Sequence, residues 1–251
     1  MHNFPKHWLV AFAGASLSLG ISSHFQLGNV EANGFLTFLG IFVVYNRYLL
    51  VEKNRPNYIK GFMILLILLA LGLAIQYAAN SLAILLLVVS GTIGAAYSFK
   101  IKPSSKSIRD IPFFKIGVVV SVWTFVCCVF PWLNSPNKLS FSPFLLWHFV
   151  YIFAIALAFD IRDVGIDHHE RKTLPQLVGI KTSKIVVITS LLLFLVVFKS
   201  LHVSPAHQDL TYIAIFVPII ALFIRKDISP KVYGILLEMS LLILGMSYFS
   251  L

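Results

Sequence analysis

Nine long apolar runs leave this chain few ways to fold. They lie at roughly 8–27, 34–51, 60–79, 82–100, 113–133, 143–160, 184–203, 210–225 and 232–250. Most approach the ~20 residues that a helix needs to cross a bilayer. Lipid offers no partner to backbone N–H and C=O groups, so spanning segments are helices or closed barrels, and runs of this length read as helices. Pro and polar clusters punctuate them, as at Asn54-Arg55-Pro56, Lys102-Pro103-Ser104, Asn134-Ser135-Pro136 and Ser204-Pro205. No connection is long enough to separate one domain from another. The expected fold is therefore all-α, one polytopic transmembrane bundle over residues 1–251. Only 12% of the residues are charged, about half the proportion in a soluble domain. The first run follows Lys6 and resembles a signal peptide, but eight further spans argue for an uncleaved helix.

The net charge of +10 would suit nucleic acid, yet the basic residues sit in short loops between apolar runs. That pattern points to membrane lipid as the contact and excludes nucleic acid. With the N-terminus in the cytoplasm, every one of the 20 Lys and Arg residues except Lys138 and Lys199 falls on the inner side. This asymmetry predicts nine transmembrane helices, a cytoplasmic N-terminus and an outer C-terminus in the cell membrane. The second, fourth, sixth and eighth runs then end at one cytoplasmic mouth, where a chemical site is expected.

The sixth run ends there in Ala158-Phe-Asp160-Ile-Arg-Asp163-Val-Gly-Ile-Asp167-His-His-Glu170. It carries four of the ten acidic residues in the chain. At about 100° per residue, Asp160, Asp163 and Asp167 fall within roughly 60° of one another on a helix. Three carboxylates on one face at a membrane boundary repel each other unless something positive sits among them. Hard oxygen donors suit Mg²⁺; charges answered by Arg162, Arg171 and Lys172 in a solvated loop are the plainer alternative. The next loop back holds Lys100, Lys102, Lys106 and Arg109. They serve either as the inner positive charge alone or as a clamp for a Mg²⁺–diphosphate. Asn46 and Arg47 close the second run between Tyr45 and Tyr48. They read as an interfacial cluster, or as an amide ligand and a phosphate-binding guanidinium. Glu238 lies well inside the last run, which makes it a functional candidate by default, with a structural role equally open. Cys127 and Cys128 are adjacent within one run and read as packing residues.

Asp160-Ile-Arg-Asp163-Val-Gly-Ile-Asp167, with Lys172-Thr-Leu-Pro-Gln-Leu-Val-Gly179, resembles the second aspartate-rich motif of the UbiA-type intramembrane prenyltransferases. Ala95-Ala-Tyr97-Ser98-Phe-Lys100, with Ile108-Arg109-Asp110-Ile-Pro-Phe-Phe-Lys115 and Trp123, resembles the segment between that family's two motifs. The first motif is usually Asn-Asp-x-x-Asp-x-x-x-Asp before a basic stretch ending Arg-Pro. Here Asn46-Arg47-Tyr-Leu-Leu50-Val-Glu52-Lys-Asn54-Arg55-Pro56 keeps the Asn and the Arg-Pro, and only Glu52 remains as a carboxylate.

The resemblance implies a nine-helix fold and prenyl transfer from a prenyl diphosphate to a lipophilic, often aromatic, acceptor within the membrane. It implies Mg²⁺ on Asp160, Asp163 and Asp167 with Asn46, and substrate contacts from Asn46, Arg47, Tyr97, Lys102 and Arg109. The depleted first motif keeps an alternative open: a catalytically inactive relative that binds isoprenoids. A third reading, a cation path through Glu238 and the sixth-run carboxylates, lacks the repeats or broken helices such transporters often show.

Overall fold

A computed structural model describes residues 7–51, 56–77, 81–97, 114–135, 144–164, 173–199, 205–225 and 228–249. Among the described residues there are helices and turns and no strand. In chain order come α1 (Trp8–His24), α2 (Val30–Asn46), the single turn α3 (Tyr48–Val51), α4 (Asn57–Tyr77) and α5 (Ser81–Ala96). After them come α6 (Phe114–Thr124), a π-helical turn (Phe125–Val129) and α7 (Phe130–Leu133), which form one continuous rod. The chain goes on through α8 (Phe144–Asp163), α9 (Leu174–Val178), α10 (Ile180–Lys199), α11 (Pro205–Ile224) and α12 (Pro230–Met246). These helices overlie the apolar runs in order. Asn57–Tyr77, Phe114–Leu133 and Ile180–Lys199 are long and apolar enough to cross a membrane.

The packing partners describe a bundle closed on itself. α1 packs between α2 and α12, α12 against α11, α11 against α10, α10 against α8, and α8 against α6. One hydrophobic core joins residues of α1, α2, α6, the π turn, α8, α10, α11 and α12. The outer surface is just as apolar. Leu65, Leu68, Ile75, Ile185, Val196 and Phe223 each expose 60% or more of their surface, which suits lipid and not water. Hydropathy periodicity therefore says little about which face of a helix looks inward.

Backbone groups freed inside the bundle find side-chain partners, as lipid requires. Pro218 lies within α11 and has no N–H to give to the carbonyl of Ala214. The hydroxyl of Tyr151 on α8 donates to that carbonyl instead, at 2.9 Å. Pro131 follows the π turn, which is one of the ways a helix absorbs such a residue. Thr37 on α2 donates its hydroxyl to the carbonyl of Val126 in that turn, at 3.4 Å.

The Thr173…Gly179 segment also has a local cause. The backbone N–H of Thr173 donates to the Gln176 side chain at 2.9 Å, and Pro175 sits in the first turn of α9. Gly179 has φ of 87°, a conformation that favours glycine, and it lets the chain turn from α9 into α10.

Candidate functional site

α8 runs apolar along its length and turns acidic in its last turn, so its end meets the mouth of the bundle with Asp160 and Asp163. Both line a cavity of about 310 Å³. α1 contributes Val10 and Ala13 to its wall, α2 contributes Tyr45, α6 contributes Lys115 and Trp123, and α12 contributes Glu238 and Leu241. Tyr97, just past α5, completes the polar rim with Arg162. The lower wall is apolar, through Ile152 and Ile155 of α8 among others.

Among the described residues, two ion pairs organise the rim. Lys115 Nζ lies 2.7 Å from Asp160 Oδ1, with side chains only 14% and 6% exposed. Arg162 engages Asp163 with both arms of its guanidinium, Nε at 2.6 Å and Nη2 at 3.1 Å. The Arg162 guanidinium also lies 4.9 Å over the ring of Phe159. On α12, Gly234 makes room for it: a Cβ at that position would stand 2.6 Å from Arg162 Nη1. Arg225 donates to the Arg162 carbonyl at 3.4 Å.

Beyond Tyr45 and Trp123 lies a second cavity of about 420 Å³ between α2, α4, α5 and α6. Its walls are almost wholly apolar, with Leu39, Val43, Leu71 and Leu87 among them. Tyr45 and Trp123 line both cavities and form the partition. Trp123 Nε1 donates to the Tyr45 hydroxyl at 3.3 Å, and the rings meet edge to face at 6.4 Å.

Of the residues singled out from the sequence, Asp160, Asp163 and Tyr97 come together around the smaller cavity. Asn46 is fully buried, and its amide nitrogen donates to the Phe42 carbonyl one turn back, at 2.9 Å. It does not appear in that cavity's lining. Arg47 lines the apolar cavity instead, with Nη1 2.6 Å from the Val44 carbonyl. Asp167, Lys102, Arg109 and Glu52 lie outside the described residues. Sequence reasoning does not single out Lys115, Arg162, Tyr45 or Trp123 as site residues, yet all four stand at the cavity. In the sequence Lys115 is only one more inner positive charge within a resembling segment. Glu238 carries a usable signal as a carboxylate inside an apolar run.

The UbiA prenyltransferase family profile matches residues 44–229, most of the chain. The chain belongs to the UbiA prenyltransferase family. No individual curated protein matches it. The family acts within membranes, transferring prenyl groups to acceptors, and its enzymes generally use Mg²⁺.

The donor chemistry here fits such an ion in one particular manner. Among the described residues, no three His, Cys, Asp or Glu side chains gather into a cage. Mg²⁺ seldom needs one, because it is commonly held by one or two carboxylates together with substrate phosphates. Asp160 and Asp163 supply that number of carboxylates on one helical turn, beside two basic side chains able to meet phosphate oxygens.

Proposed function

We propose that this UbiA family member transfers a prenyl group from a prenyl diphosphate to an aromatic or other lipophilic acceptor within the membrane. In this reading the bundle is a single domain of nine spans in the cell membrane, with the N-terminus and the mouth of the polar cavity facing the cytoplasm. The observation that carries it is the pairing of acidic and basic side chains around a cavity whose deeper wall is apolar. Such a cavity suits a ligand with a highly charged head and a hydrocarbon tail.

Asp160, Asp163 and Asp167 would hold Mg²⁺, which supplies charge neutralisation for the departing diphosphate. Lys115 and Arg162 flank that head from the cavity rim, and Lys102 and Arg109, between α5 and α6 in the sequence, would add positive charge. The bond between the allylic carbon and the diphosphate oxygen breaks, and its electron pair leaves with the diphosphate. The allylic cation meets the rings of Tyr45, Tyr97 and Trp123, whose faces attract positive charge. An acceptor ring carbon bonds to that cation, and Glu238, on the same cavity, takes the proton the ring gives up. Catalysis is then mainly electrostatic stabilisation and positioning. The tail lies among apolar helices, where it leaves no hydrocarbon in water.

The test uses purified protein in lipid nanodiscs with Mg²⁺, radiolabelled prenyl diphosphates of several lengths and a panel of acceptors. Labelled lipid product that disappears in Asp163→Asn is the expected result. Silence across the panel, beside a working relative, would remove the transferase reading. Binding without turnover is a second reading, favoured because Arg47 stands where the family's first motif usually places an aspartate. Retention of a non-hydrolysable prenyl diphosphate without product would select it.

A further inference from the structure

α12 marks out the depth of the polar cavity. It runs antiparallel to α8: Gly234 stands against Arg162 near the mouth, and Tyr248 meets His148 at the far end. Glu238 follows Gly234 by four residues, about 6 Å deeper along the helix, and Leu241 comes next on the same wall. Glu238 therefore sits between the charged rim and the apolar floor. It lies within electrostatic reach of Arg162 and Tyr45. Among the described residues it has no hydrogen-bond or ion-pair partner. Arg162 gives its fork to both oxygens of Asp163, and Lys115 faces Asp160 at 2.7 Å. The lysine and the arginine among the cavity's described lining residues thus each already answer a carboxylate. Tyr45 accepts a hydrogen bond from Trp123 Nε1, and its own O–H meets no acceptor among the described residues. One carboxylate that can accept and one hydroxyl that can donate border the same space.

We propose that Glu238 and Tyr45 select the acceptor: a neutral hydroxylated aromatic, a phenol or hydroquinone, and not an aromatic carboxylate. This assignment rests on reading the cavity as the prenyl-transfer site, and it narrows the acceptor from any lipophilic molecule to one chemical class. The acceptor's hydroxyl donates to Glu238, and its oxygen accepts from Tyr45. Ionised, as taking up a proton requires, Glu238 has only acceptor atoms to offer. A ligand that brings an O–H satisfies it. A ligand that brings a carboxylate sets two like charges together away from water, while Lys115 and Arg162 already face Asp160 and Asp163. A bound diphosphate sharpens the discrimination, because it draws on the same two cations. A methyl ether in place of the hydroxyl has nothing to give Glu238 and leaves that carboxylate unpaired. Tyr45 and Trp123 add ring faces and edges against which a flat acceptor packs.

Three probes of nearly one shape separate these effects: methyl 4-hydroxybenzoate, 4-hydroxybenzoate and methyl 4-methoxybenzoate. Each is titrated against the full chain in detergent with Mg²⁺ and inorganic pyrophosphate, and its affinity is read by saturation-transfer NMR. Pyrophosphate binding itself is read by calorimetry. The unaltered protein is expected to bind the neutral phenol about tenfold or more tightly than either the carboxylate or the ether. In Glu238→Gln the gap between phenol and carboxylate should close to about threefold or less, because the like charge is gone. Comparing that ratio between the two proteins cancels partitioning of the probes into micelles. A merely structural Glu238 would lower thermal stability and leave the ratio where it was, and that result overturns the assignment. Should Glu238→Gln fail to fold, the unaltered protein decides: equal or tighter binding of the carboxylate or the ether overturns it. The same holds if no probe binds. Pyrophosphate binding without the phenol preference removes the acceptor class and leaves the diphosphate site standing. Absence of Mg²⁺-dependent pyrophosphate binding removes the prenyl-transfer reading and this assignment with it.

Discussion

The two ends of α2 show two ways of burying polar groups in an apolar bundle. Near its start, Asn134 Nδ2 donates to Asn33 Oδ1 at 2.8 Å, and Asn33 Nδ2 reaches the Ser22 hydroxyl at 3.3 Å and the Gly28 carbonyl at 3.2 Å. A similar neutral pair, His148 with Tyr248, joins α8 to the end of α12 at 2.8 Å. These groups tie helices together, as polar side chains often do in membranes. Near the other end of α2, about 18 Å along the helix axis, Tyr45 borders a cavity holding two ion pairs and Glu238. Neutral pairs cost little to bury once they are bonded. Charges are far dearer, and a chain keeps them at membrane depth where they have a ligand to meet. The first end is joinery, and the second is the candidate site.

That contrast breaks most visibly at Asp163. Asp163→Asn should lower Mg²⁺-dependent pyrophosphate binding by about 100-fold or more, read by calorimetry, while thermal unfolding in detergent moves little. An equal loss of fold would place Asp163 with the joinery. At the opposite end, Asn134→Leu leaves a buried amide short of its partner. It should cost about 1–2 kcal/mol of stability, read by thermal unfolding, with pyrophosphate binding per folded molecule unchanged. A change in that binding would show that the two ends are not separate. Gly234→Ala sharpens the site itself. Its new methyl crowds Arg162 Nη1, so pyrophosphate binding should weaken about threefold, with a small loss of stability. The smallest effect is expected at the partition. Trp123→Phe keeps an aromatic ring and removes one hydrogen bond of 3.3 Å to Tyr45, so stability should fall by about 1 kcal/mol or less.

Much of the architecture is legible in the sequence because lipid leaves the backbone so little choice. Every apolar run holds a helix, and the acidic end of the sixth run meets a cavity through Asp160 and Asp163. The Thr-Leu-Pro…Gly stretch, which carries a resemblance in the sequence, has its cause in a helix start at Thr173 and a positive φ at Gly179. The partners of these residues are harder to read. Lys115 and Asp160 stand 45 positions apart in the chain, and nothing in either segment names the other. Asn46 has the place of a ligand at the end of a run. Its amide nitrogen bonds back into its own helix, an option open to any Asn in a helical turn, and that bond does not engage the amide oxygen a metal would use. The π turn at Phe125–Val129 has only Pro131 as its local sign.

The sequence by itself determined that this chain is a bundle of membrane helices, its motifs resembling those of the UbiA family. Hydrophobic length and backbone hydrogen bonding leave almost no other outcome. Only the tertiary structure decided which cation answers which carboxylate, that Glu238 faces the same cavity, and that Tyr45 and Trp123 divide a polar chamber from an apolar one. Those outcomes depend on how neighbouring helices are turned about their axes. In a chain apolar on nearly every face, that rotation is set by packing and by pairing across helices, and hydropathy does not record it.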